Sequence, residues 1–285
     1  MELNMLLNTI KNLVGKDFKV DTQMVTKGNT TLTGISIGNG TFKPTVYMEH
    51  FENMFREKGY EAVAREMIDI CKNAEIPSIS VSEMTSLDFV KDHLIVCVSP
   101  VGTNNECVTI PYLDLELYFR VVIEQGDNIG TYKITEKMLN EWGLTKEELL
   151  DYDNNVYTCQ SMSDVMKESM IEDGYSEEEV EIMFGGDYEE IGQHVVKNKL
   201  KMYGASVIYR KEILKSIADK CESNLFIIPS SIHELLIIPT DLNEYVCKED
   251  VDSMVKSVNE TEVKPEEVLA DHAYIFHRDT MEIEW

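Results

Sequence analysis

The chain has 285 residues, with 52 Asp and Glu against 26 Lys and Arg, and a formal net charge of -26. That surplus disfavours tracking a nucleic-acid backbone or lying on an anionic membrane, because both need cationic side chains against phosphate. A hydrophobic fraction of 43%, with 27% charged and 8% aromatic residues, excludes a disordered chain and is enough to bury a core.

The first residues carry Glu2 where a signal peptide carries positive charge, and polar residues interrupt their apolar run. Leu3, Leu6, Leu7, Ile10 and Val14 recur at helical spacing, which predicts a helix over residues 2–14. No apolar run reaches the roughly 18 residues that cross a bilayer, so a cytoplasmic protein is expected. Residues 18–25 and 32–37 alternate around Gly28-Asn29 and read as a hairpin, with residues 44–48 as a third strand. Residues 50–73 are helical with a break at Gly59, and the second part puts Val63, Met67, Ile68 and Cys71 on one face. Together these predict an antiparallel meander covered by helices. A helix over 86–93, an apolar strand over 94–98 and a strand over 115–124 follow. Between Thr135 and Glu148 two helices are expected. Gly143 ends the first, and Thr145 with Glu148 forms a capping box for the second.

Residues 151–192 hold thirteen acidic residues against Lys167 alone, which is nearly half of the net charge. Ser176 with Glu179 makes a capping box, so this segment reads as a pair of short acidic helices joined by Gly174 and Gly185-Gly186. Met162, Met166, Met170 and Met183 recur among the acids. With Phe184 they make either an adaptable groove for a partner helix or the inner faces of helices packed on a domain. The candidate partner-binding residues are Glu177, Glu178, Glu179, Glu181, Met183 and Phe184.

Beyond this segment, residues 202–209 read as a strand, 211–221 as a helix, 225–228 and 235–238 as strands, 249–258 as a helix and 273–277 as a strand. That order, β-α-β-β-α-β, is the one of a ferredoxin-like unit. The predicted class is α+β, with an N-terminal lobe over 1–150, an acidic helical insert over 151–192 and a C-terminal lobe over 193–285.

Three blocks of this last lobe carry a resemblance: Gly204-Ala205-Ser206-Val207-Ile208-Tyr209, the run from Leu225 through Pro229-Ser230-Ser231-Ile232-His233-Glu234 to Pro239, and Val258-Asn259-Glu260-Thr261-Glu262-Val263. With Glu141-Trp142-Gly143-Leu144-Thr145 and the N-terminal meander, they resemble domain of unknown function 5688, a family of clostridial gut bacteria. More distantly, residues 138–149 and the helix-strand-turn-strand after Tyr203 are similar to the YtpQ-like family of Gram-positive bacteria. The resemblance implies a cytoplasmic bacterial protein. Neither family has an assigned activity, so no catalytic residue is carried over.

The densest local chemistry is the turn Pro229-Ser230-Ser231-Ile232-His233-Glu234. In an enzyme of the small-hydrolase type, this Ser230, Ser231, His233 and Glu234 turn would use His233 as base for Ser230 or Ser231, with a carboxylate from elsewhere in the chain orienting it. The alternative is a hairpin turn whose hydroxyls satisfy backbone amides, and no G-x-S-x-G elbow accompanies it. Asp151-Tyr152-Asp153-Asn154-Asn155 opens like a Ca²⁺ loop, but Val156 and Met162 stand where that loop needs Gly and the bidentate Glu. Loose divalent-cation binding by the acids is the weaker form of that idea. His272 and His277 are five apart on a predicted strand and point to opposite faces, while His194 stands near Lys197, Lys199 and Lys201 as a surface residue. No metal site and no cofactor motif follow. The six cysteines read as reduced thiols, with Cys97 and Cys107 facing each other across a hairpin as the one pairing the sequence allows.

Two function classes remain: a non-catalytic interaction or regulatory module whose acidic helices meet a basic protein surface, a nucleic-acid mimic being one version, and the hydrolase. Oligomeric state is open.

Overall fold

In α1 (Leu3–Val14), Leu6, Ile10 and Val14 stand one turn apart, and their burial fixes which face of the helix turns inward. The structure is a computed structural model describing residues 1–285 except 17, 28–29, 41–42, 75–78, 106, 126–127, 185–191 and 243–245, and except the side chains of 26, 27, 125, 128 and 184. The chain divides into two compact units, residues 1–93 with 121–132 and residues 94–120 with 133–285.

In the first unit, β1 (Lys19–Lys27) and β2 (Thr30–Gly38) pair antiparallel from Lys19 opposite Gly38 to Lys27 opposite Thr30, and β3 (Thr45–Tyr47) pairs the other edge of β2. The expected turn at Gly28-Asn29 lies outside the described residues. Beyond the short β3 the Thr33 amide has no strand partner, and it donates instead to both carboxylate oxygens of Glu49 at 2.9 Å. The helix α2 (Glu52–Asn73) is broken at Gly59, whose φ of 76° and ψ of -173° are open to glycine alone. Past the break, Val63, Ala64, Met67, Ile68 and Cys71 pack with the inner face of α1 and with Ile35, Ile37 and Val46 of the sheet. The short helices α3 (Val81–Met84) and α4 (Leu87–His93) follow.

The strands β4 (Leu94–Pro100), β5 (Thr109–Tyr112), β6 (Leu115–Gln125) and β7 (Asn128–Lys133) form a sheet in the order β4-β6-β5, with β7 paired to β6. Because β6 intervenes, Cys97 on β4 and Cys107 ahead of β5 are not neighbours across a hairpin, which corrects the pairing read from the turn between them. None of the six cysteines is in a disulfide, and burial pushes the Cys97 thiol up to about 12. The turn after β4 is organised by the buried Glu116 carboxylate. It accepts from the amides of Gly102 and Asn104, both at 3.0 Å, and from Asn104 Nδ2 at 2.9 Å.

In the second unit, α5 (Glu136–Trp142) starts at Thr135 and stops at Gly143 as expected. The capping box of Thr145 and Glu148 forms, yet it opens a 3-10 turn, Glu148–Tyr152, rather than an α-helix. The reason is the next residue. The Asp153 carboxylate, 2% exposed, accepts from the Val96 amide of β4 at 2.9 Å, from the Asn155 amide at 3.2 Å and Asn155 Nδ2 at 2.7 Å, and from the Tyr209 hydroxyl at 2.6 Å. Arg210 Nη1 lies 3.5 Å away as the fifth donor. The chain is thereby pulled out of the helix towards β4.

The rest of this unit is built on β8 (Tyr157–Ser161), α6 (Met162–Glu172), α7 (Glu177–Phe184), β9 (His194–Asn198), α8 (Lys211–Cys221), β10 (Leu225–Pro229), β11 (Glu234–Pro239), α9 (Lys248–Thr261), β12 (Tyr274–Phe276) and β13 (Ile283–Glu284). The strands form one sheet in the order β13-β12-β10-β11-β9-β8, every neighbouring pair antiparallel. Two expectations are corrected here. Residues 202–209 are not a strand, since Lys201 and Tyr203 take left-handed φ values of 53° and 61° and Gly204–Tyr209 is a buried 3-10 helix. The strand is β9, which sequence patterning left unassigned, as it did β5, β7, β8 and β13. The strand order also departs from a ferredoxin-like unit, in which the first strand lies between the third and fourth. Here the second, β10, takes that place and β9 lies outside the hairpin. The acidic segment enters the sheet through β8, its edge strand, and α6 and α7 form the excursion between β8 and β9.

Gly204 allows the 3-10 helix to lie on β9. A Cβ there would stand 2.5 Å from the Asn198 amide nitrogen and 2.6 Å from the His233 carbonyl oxygen. Gly204→Ala is therefore expected to lower stability by about 2 kcal/mol through overpacking against backbone. Asp153→Ala, which strands buried donors, should cost about 3 kcal/mol. Urea unfolding followed by the fluorescence of Trp142 and Trp285 together checks both, with midpoints falling at unchanged slope.

Candidate functional site

The turn between β10 and β11 brings Ser230, Ser231, His233 and Glu234 together. Their hydrogen bonds run to backbone and to one another. Ser231 Oγ accepts from the His233 amide at 3.0 Å, and Ser230 Oγ donates to Glu234 Oε1 at 3.4 Å. His233 Nδ1 accepts from the Tyr203 amide at 3.2 Å, which leaves the ring proton on Nε2, 3.8 Å from Glu267 Oε1. A histidine serving as base for a serine needs an unprotonated nitrogen aimed at the hydroxyl, and here that nitrogen is held by a backbone amide. Burial holds the imidazole below the ordinary histidine value, against the pull of the Glu267 and Glu234 carboxylates.

Sequence reasoning missed the neighbours of this turn. Tyr203 lies against the His233 ring with centroids 5.7 Å apart, and the Arg120 guanidinium stands 4.8 Å over the Tyr203 ring. Glu267 is also tied to Lys264 Nζ at 3.3 Å. A lone arginine in strand β6 is a signal for the contact of Arg120 with Tyr203. Nothing in the sequence links Glu267 to His233 across more than thirty residues.

The other candidate surface is α6 with α7. Ser176 and Glu179 form the expected capping box, with Glu179 Oε2 accepting from the Ser176 amide at 2.9 Å. Glu177, Glu178, Glu179 and Glu181 are all exposed. Val180 is buried and points inward, whereas Ile182 and Met183 are 83% and 53% exposed. Met166, Ile171 and Tyr175 are exposed as well, while Met162 and Met170 are half-buried. The Phe184 side chain and Gly185-Gly186 lie outside the described residues.

The residues weighed for metal serve other ends. Asp153 is the buried hub described above. His272 Nε2 lies 2.8 Å from Asp114 Oδ2, whose other oxygen accepts from the Tyr274 hydroxyl at 2.8 Å. His277 Nε2 faces Glu284 at 3.1 Å, and His194 is a half-buried residue of β9, its Nδ1 3.2 Å from the Gly192 carbonyl. Among the described residues, no three His, Cys, Asp or Glu side chains are placed to hold a metal ion together, and no helix is long and apolar enough to cross a membrane.

An α+β chain with antiparallel sheets and a histidine turn set against a 3-10 helix is the class these observations define. The chain belongs to the family of unknown function DUF5688, whose profile matches residues 3–278. No curated protein and no solved structure matches it.

The state of His233 can be measured. Its folded value lies below 6.5, so the unfolded chain takes the proton first as pH falls. The stability the neutral ring contributes is complete above 6.5 and declines as pH drops towards the folded value. NMR titration should place the midpoint of His233 below 6.5, and His233→Asn should flatten the acid-side loss of stability.

Proposed function

We propose that the chain is a non-catalytic protein-interaction or regulatory module whose acidic helices α6 and α7 meet a basic protein surface. The observation that carries this reading is the exposure of Met166, Ile171, Tyr175, Ile182 and Met183 among the carboxylates. A face of acids alone is a solvated face. Large apolar side chains held in water beside them supply area that a partner can bury, while the charges steer its approach and select its sign. The methionines add a surface that can repack against more than one partner shape. The turn holding Ser230, Ser231, His233 and Glu234 enters this reading as scaffold. A reducing, cytoplasmic setting goes with it, in keeping with six cysteines outside any disulfide.

Affinity purification from the native cells at low and high salt tests it. Retention of partners should fall steeply as salt rises. It should be lost in the variant Glu177→Lys, Glu178→Lys, Glu181→Lys, which spares Glu179 because that residue closes a capping box. Partners retained equally at both salts and by the variant would count against an acidic interface.

A further inference from the structure

The helix α9 buries Val251 and Val255 against Phe226 and Ile228 of β10. Beside that contact the packing opens into a groove of about 360 Å³, floored by Ile228, Ile238 and Val251. Its rim is apolar and in water: Leu242, Val246 and Met254 are all exposed, and Val258, one turn beyond Met254 on the same helix, is exposed too. Among the described residues the charged side chain that lines the groove is a carboxylate, the exposed Asp250; Asp241, between the lining residues Thr240 and Leu242, and Glu249, beside Asp250, are exposed as well, and Lys248 is held by Asp252 at 2.8 Å.

We infer that this groove receives the apolar anchor of a basic protein segment, an amphipathic stretch with large aliphatic side chains flanked by Lys or Arg. The volume lies near the lower end of the roughly 300–1,000 Å³ typical of small-molecule pockets. The exposed apolar line continues along α9 past the groove, which suits an extended or helical segment better than a compact ligand. An anionic membrane would meet Asp250 on the rim, with Asp241 and Glu249 beside lining residues in the chain, as like charge. A second copy of this chain, at -26, would do the same. The inference rests on the interaction reading only in taking a protein as the occupant, since groove and acidic helices are built from different residues.

The test uses the full chain and a fluorescein-labelled synthetic helix with Leu at i, i+3, i+4 and i+7 and Lys at the remaining positions. A second peptide carries Glu in place of Lys. Fluorescence anisotropy should show binding of the Lys peptide and not the Glu peptide. Met254→Gln and Val246→Ser replace exposed side chains without changing charge, and each should weaken binding about tenfold while circular dichroism stays unchanged. Methyl resonances of Ile228, Ile238 and Val251 should shift on titration. Equal affinity in wild type and both groove variants, equal binding of the two peptides, or the same methyl shifts on concentrating the protein alone would each overturn the proposal. The lysine variant of α7 is run alongside. It decides the acidic-helix reading, and the groove variants decide this one.

Discussion

The second unit is organised around one buried carboxylate. Asp153 is nearly sealed from water, and a charge so placed is tolerable only when donors surround it, since desolvation alone costs several kcal/mol. Five donors from three parts of the chain meet that demand: the β4 backbone at Val96, Asn155 just beyond the acid, and Tyr209 and Arg210 at the end of the 3-10 helix. Burial, with the Asp153 charge added, pushes the Tyr209 phenol above its ordinary range, so it remains a donor. The contact thereby fixes where β4 lies, where the turn over residues 148–152 stops and where residues 204–209 must pass. Glu116 does the same work on a smaller scale for the turn after β4.

Placement of the 3-10 helix in turn decides the chemistry of the histidine turn. Gly204 lets the backbone approach β9 and His233 so closely that no side chain fits, and the Tyr203 amide then occupies His233 Nδ1. The same close approach brings the Tyr203 ring beneath the Arg120 guanidinium. A constellation that reads as a nucleophile and a base when written as a sequence becomes, in three dimensions, a set of donors and acceptors that pin two segments together. Hydroxyl, imidazole and carboxylate are equally suited to either task, and only geometry separates them.

Net charge far from zero strains a compact chain by self-repulsion, and α6 and α7, with seven acids against one base, hold their carboxylates in water. Glu177, Glu178 and Glu179 occupy the first turn of α7, where the helix dipole favours negative charge. The apolar side chains left exposed on this excursion, and those around the α9 groove, are therefore not demanded by the packing of the sheet.

The sequence by itself determined the elements whose signals are local. Apolar spacing marked α1, the second half of α2 and α8, the break at Gly59 followed from glycine's freedom, and the caps at Thr145 and Ser176 followed from side chains that reach their own backbone. Membership of the family was legible in the same way, as short runs of residues. Tertiary structure alone decided what depends on partners distant in the chain. Short strands such as β5, β8 and β9 have too few residues to show a period and exist because a neighbouring strand supplies their hydrogen bonds. The apolar run at 202–209 suits strand or buried turn equally, and left-handed residues with a glycine pressed on β9 settled it. The order of strands, the roles of Asp153 and His233 and the exposure of Ile182 and Met183 were likewise beyond local reading, because each is set by which groups the folded chain brings within a few ångströms.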